Sequence, residues 1–71
     1  MTDYKEYYVV FTNDLGDKKH IFIEAHTARE ALAMFIDAGE HQYREINYVL
    51  EWVNTKIQVK HEVRNNEVVT T

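Results

Sequence analysis

The side chains of this chain that could do chemistry are few and widely spaced. Four histidines, His20, His26, His41 and His61, raise a metal site first. Zinc-type sites use cysteines or closely repeated histidines such as H-x-H and H-x-x-x-H. Neither spacing is present, and the chain has no cysteine. His20 and His26 would share a face of one strand, but six residues of strand put them roughly 20 Å apart, too far for one ion. Only a two-ligand surface site assembled across a dimer would remain. His61 reads instead as a histidine at the edge of the core, bonded to Tyr48 or to a backbone carbonyl. No metal or other cofactor is expected.

Catalysis fares no better. The chain has neither Ser nor Cys, which removes the two commonest nucleophiles. Glu24, His26, Glu40 and His41 could form an acid–base set, but only as a loose cluster at strand and helix ends. General acid–base work needs a positioned cleft, for which a chain this short has little room. Gly16 and Gly39 are the only glycines, so no phosphate-cradling loop such as G-x-G-x-x-G exists. The chain is not expected to be an enzyme.

Binding chemistry is better represented. Lys56 and Lys60 fall on one side of the last long strand, beside Tyr8, Val10, Phe22 and Val49 on neighbouring strands. Aromatics interleaved with lysines on an open sheet can stack single-stranded bases. Against this stand Glu24, Glu51 and Glu62 on or near the same face, a net charge of −4, and no RNP-like motif. Nucleic acid is therefore the less favoured partner. Tyr43, Arg44, Tyr48 and Trp52 are residue types enriched in binding hot spots. The expected register turns Tyr48 and Trp52 toward the core, which leaves Tyr4, Tyr7, Tyr8, Tyr43 and Arg44 as the better contact candidates.

These residues need elements to position them. Residues 5–12 and 19–26 read as strands around the turn cluster 13–18. A three-residue loop would pair Phe11 with Ile21 and Val9 with Ile23. A two-residue loop at Leu15-Gly16 would pair Val10 with Ile21 and Tyr8 with Ile23. Thr27 to Glu30 is the capping box T-x-x-E, in which the threonine accepts the amide of Glu30 and the glutamate reaches back. A helix should run to Ala38 and stop at Gly39. Ala28, Ala31, Leu32 and Phe35 make its apolar stripe, widened by Met34, Ile36 and Ala38. Residues 44–53 and 56–63 alternate in step about a turn at Asn54-Thr55, pairing Trp52 with Ile57, Leu50 with Val59 and Tyr48 with His61. Residues 64–71 read as a frayed polar tail.

The expected architecture is α+β: one domain over 1–71, ββαββ, with a four-stranded antiparallel sheet of order 2-1-3-4 and one helix on one face. Composition fits this class. Of 71 residues, 45% are hydrophobic, and neither a signal-type N-terminus nor a membrane-length apolar run is visible. Without cysteine, a reducing, cytoplasmic setting is the natural reading.

The first strand then sets the functional expectation. Tyr7, Tyr8, Val9, Val10 and Phe11 make it apolar on both faces. One helix covers one face, so the other should carry an exposed apolar patch, which marks an interaction surface. The chain is thus expected to be a small non-catalytic binding protein, a homodimer or higher oligomer. It would use that open face, through Tyr8, Val10, Phe22, Val49, Lys56 and Lys60 together with Tyr43 and Arg44, to modulate another macromolecule, most simply a protein. Its style is that of phage and mobile-element accessory proteins, by analogy rather than by motif. The alternative is an oligomer that sequesters a nucleotide or other small anion at a subunit boundary, with His20, His26, Lys56, Lys60 and Arg44 as contacts.

Overall fold

The computed structural model describes residues 4–39 and 42–69. Its elements are β1 (Lys5–Thr12), β2 (Lys18–Ala25), α1 (Ala28–Ala38), β3 (Glu45–Trp52), β4 (Gln58–Arg64) and β5 (Glu67–Val69). All neighbouring strands pair antiparallel, in the order β2-β1-β3-β4-β5, and α1 packs on one face. The α+β class is as the sequence implies. The sheet has five strands, not four.

The helix forms for local reasons. Thr27 sits in extended backbone, and its hydroxyl accepts the Glu30 amide at 3.1 Å. That satisfies one of the amides that a helix start leaves unpaired. The return arm of the capping box is not made; the Glu30 carboxylate turns to His26 Nδ1 at 3.1 Å. Gly39 ends the helix at φ 61°, the left-handed conformation that glycine adopts without a Cβ penalty. Ala28, Ala31, Leu32 and Phe35 are the buried stripe. Met34 and Ala38 lie outside it and are exposed.

Beneath the stripe lie Tyr7, Val9 and Phe11 of β1, with Ala25, Ile46, Val49 and Val68 from the other strands. Phe35 links the layers, with ring centroids 5.0 Å from Phe11 and 5.5 Å from Tyr43. In the first hairpin Val9 meets Ile21 and Tyr7 meets Ile23, so neither expected register occurs. The Asn13 amide bonds the Asp17 carbonyl at 2.9 Å, the Gly16 amide bonds the Asn13 carbonyl at 3.0 Å, and Gly16 has φ 89°. This is a three-residue loop closed by a glycine bulge. It lies one residue earlier than the expected three-residue loop. The pairing therefore shifts by two and every side chain keeps its face.

The second hairpin slips by one, with opposite consequences. Val10 pairs with Tyr48 while Phe11 pairs with Ile46, so Asn47 is an extra residue in β3. Thr12 Oγ1 donates to Asn47 Oδ1 at 3.1 Å. A bulge inserts one residue and reverses the alternation beyond it. Ile46 stays on the helix side, but Tyr48, Leu50 and Trp52 emerge on the other. Trp52 now meets Gln58 and Leu50 meets Lys60. The Asn54-Thr55 two-residue turn is replaced by a longer loop, in which Asn54 Oδ1 accepts the amides of Lys56 and Ile57.

The expected frayed tail is also corrected. Asn65 and Asn66 have φ of 52° and 61°, the paired left-handed residues of a tight hairpin turn. They return the chain as β5, and Val68 is 5% exposed beneath α1. Thr70 and Thr71 lie outside the described residues.

Candidate functional site

The open face of the sheet is built in rows. Phe22, Tyr8, Leu50 and Lys60 stand side by side across β2, β1, β3 and β4. His20, Val10, Tyr48 and Glu62 form the next row, and Glu24, Glu6, Trp52 and Gln58 the row on the other side. Tyr8 is the hub. Its ring centroid lies 5.5 Å from Phe22, 5.6 Å from His20 and 6.1 Å from Trp52. Such tilted and edge-on pairs add to area burial and hold the rings in place. Val10, 8% exposed, is the floor between them.

A shallow hollow of about 470 Å³ opens here, lined by Tyr8, Val10, Tyr48, Leu50 and Trp52 and bounded by Lys18, Lys19 and His20. Lys60 Nζ lies 4.7 Å and Lys18 Nζ 5.5 Å from the centre of the Tyr48 ring. Both ammonium groups thus rest against a π-face, a favourable placement within the usual 6 Å or so. Charges of both signs rim the field: Glu6 and Glu24 lie at the Trp52 end, and Lys18 and His20 share the other end with Glu45 and Glu62.

A second polar group lies at the margin of the helix-covered face. Tyr7, 1% exposed, donates its hydroxyl to Glu51 Oε1 at 3.5 Å. The same oxygen lies 3.4 Å from His61 Nε2, an ion pair when the imidazole is protonated. Burial pushes the Tyr7 phenol above its ordinary value of 10.0. The nearby Glu51 charge and its hydrogen bond add to the shift, as does Glu30. A neutral phenol donating to a carboxylate that also meets an imidazole closes the polar seam of a core. A shallow hollow of about 290 Å³ beside it is bounded by Lys5, Thr27 and Arg29.

The structure sorts the sequence-derived residues. Tyr8, Val10, Phe22 and Lys60 share the open face. Val49 does not: it is 0% exposed beneath the helix, because the Asn47 bulge turned it inward. Lys56 stands in the exposed β3–β4 loop rather than on the sheet. Tyr43 is half-buried against Phe35, and Arg44 donates from its guanidinium to the Asp14 carbonyl at 3.1 Å, bracing the first hairpin loop. The same bulge brought Tyr48, Leu50 and Trp52 to the face, and no residue type in 45–48 announces it. His61 is on the core side as expected, but opposite Val49 and bonded to Glu51. His26 leaves the strand, stacks on Tyr4 at 4.4 Å and pairs with Glu30, so it shares no face with His20. Of the expected acid–base set, Glu24 and His26 are thus apart in role, and Glu40 and His41 lie outside the described residues.

Among the described residues, no group of three or more His, Asp or Glu side chains is placed to hold a metal ion. No described helix is long and apolar enough to cross a membrane. Comparison with known proteins returns no matching family model, no matching curated protein and no matching solved structure.

Proposed function

We propose that the chain is a non-catalytic binding protein whose open sheet face is its contact surface, and that it acts by occupying a surface of another protein. One observation carries this reading: Tyr8, Phe22, Tyr48, Leu50 and Trp52 form a continuous, partly exposed aromatic and aliphatic field that none of the described elements covers. Rings of this kind supply contact area at low entropic cost and serve as anchors at interfaces. Acidic and basic residues mixed around the field suit a protein surface better than a polyanion. A reducing, cytoplasmic setting belongs to the same reading, as does modulation of the partner's activity.

Affinity capture with the full chain, Tyr8→Glu, Trp52→Glu and the helix-side control Asp37→Arg as baits tests it. A protein held by the wild type and the control, and lost by both face variants, supports the reading. Equal retention by the face variants would sink it.

A second reading has its own observation. Lys18 and Lys60 both lie over the Tyr48 ring, and Lys18 and Tyr48 line the hollow, which suits a planar aromatic ligand carrying negative charge, such as a nucleotide. A bound nucleotide would raise the melting temperature by mass action. The rise should disappear in Lys18→Ala and Lys60→Ala, and a nucleotide panel that leaves the wild-type melt unmoved removes this reading.

A further inference from the structure

The two edges of the sheet are unlike. β5 ends one side with three residues, whereas β2 ends the other with eight. Natural edges are shortened, bulged, or blocked with proline or charge, because a free edge templates another strand. The chain has no proline, β2 pairs with β1 through its full length without irregularity, and its charges, Lys18, Lys19 and Glu24, sit toward its ends and leave His20 to Ile23 unblocked. We infer that β2 is a self-association edge, on which β2 of a second copy pairs antiparallel to make one continuous ten-stranded sheet.

Three observations carry the inference. The first is which backbone groups are free. Asn13 bonds Asp17 across the first hairpin, and the Thr12 carbonyl is turned away to accept the Arg44 amide at 2.7 Å. Antiparallel ladders alternate bonded and non-bonded pairs. Lys19, Ile21 and Ile23 therefore bond inward to β1. Lys18, His20, Phe22 and Glu24 present their amides and carbonyls outward.

The second is charge. β2 is basic at its start, with Lys18, Lys19 and His20, and acidic near its end, with Glu24. An antiparallel copy centred on Ile21 sets Lys18 opposite Glu24 of the second copy at both ends of the seam. The same register sets His20 opposite Phe22 and Ile21 opposite Ile21. It also matches outward groups with outward groups and keeps both helices on one side. A parallel copy would stack lysine on lysine.

The third is the flank. A groove of about 340 Å³ runs between α1 and β2, lined by Ile21, Ile23, Met34, Phe35 and Ala38 among others. Met34 is 45% exposed there. In that register Ile21 of a second copy would lie at its mouth, with the Lys19 stem of that copy beside Ile23, so one contact joins the ladder and buries apolar surface. Small chains commonly gain stability by such association. The aromatic row of the open face would then run through Phe22 into the second copy. The edge is a different surface from the open face, so this inference stands whether or not that face binds a partner.

Light scattering on a sizing column, over a wide concentration range, should show the full chain at twice its monomer mass. Amide exchange on that species should show Lys18, His20, Phe22 and Glu24 protected. Lys18→Glu and Glu24→Lys should each weaken association about tenfold or more, since both seam pairs turn repulsive. An equimolar mixture of the two variants should restore the double mass, because each restores the other's opposite charge. A single-chain mass at every concentration overturns the inference. So does a dimer whose four outward amides exchange like those of an open edge, which would place the contact on the sheet face instead.

Discussion

The two faces of the sheet come from the same strands and differ in almost everything else. The helix-covered face is nearly dry: Val9, Val49, Ala25 and Ala31 are 0% exposed, and its polar groups sit at the margin as Tyr7, Glu51 and His61. The open face holds larger rings, none fully buried, with lysines resting on one ring and carboxylates at both ends. One face is a core whose members must fit; the other is a surface whose members touch but leave their outer sides free. The lesson is that strand composition alone does not assign a face. β1 is apolar on both, and what decides is where α1 lies and where β3 changes phase.

The strongest way to break this contrast is to put a charge on each face in turn. Val49→Lys, at a residue 0% exposed beneath the helix, buries an ammonium without a partner and should cost roughly 5 kcal/mol or more, the lower end of what a domain holds. Circular dichroism should then show no cooperative melt. Leu50→Lys, the next residue and on the open face, should cost about 1 kcal/mol and melt cooperatively. Equal losses would mean the two faces are interchangeable.

Next comes a matched pair of phenylalanines. Phe35→Ala empties the contact between Phe11 and Tyr43 and should cost about 3–5 kcal/mol. Phe22→Ala, at a residue 45% exposed, should cost about 1 kcal/mol by area. Urea midpoints measure both, and equal losses would erase the distinction between core and surface.

The smallest effect sharpens the margin between the faces. The folded pKa of Tyr7 is raised, so its contribution is complete below the unfolded value of 10.0 and is lost as pH climbs through the higher folded value. Stability should fall through that alkaline window. Tyr7→Phe should flatten this part of the pH profile while costing about 1 kcal/mol at neutral pH for the lost hydrogen bond. An unchanged alkaline slope in the variant would assign the loss to other groups.

Much of the covered face was legible in residue order. The spacing of Ala28, Ala31, Leu32 and Phe35 names the stripe, Thr27 names the start and Gly39 the stop, because each rests on local geometry. The open face was legible in part. Tyr8, Phe22 and Lys60 follow from simple alternation, whereas Tyr48, Leu50 and Trp52 depend on one inserted residue that carries no local mark. Alternation had two self-consistent solutions for β3 and β4, one register apart. Val49 settled between them only by packing against β1 and the helix. Asn65-Asn66 was the visible sign of β5, since asparagine tolerates left-handed backbone better than most residues. It stood next to a polar segment too short to declare itself a strand.

The placement of β1 between β2 and β3 also has a kinetic consequence. The hairpin β1–β2 and the meander β3–β4–β5 are each local in sequence and can form by closing short loops. They join only along β1–β3, whose partners lie as far apart as Glu6 and Trp52. Distant pairings of this kind carry the loop-closure entropy that slows folding. Both layers of the molecule depend on that seam. The helix has its full floor, and the aromatic field its hub beside its tryptophan, only once the two halves of the chain have met.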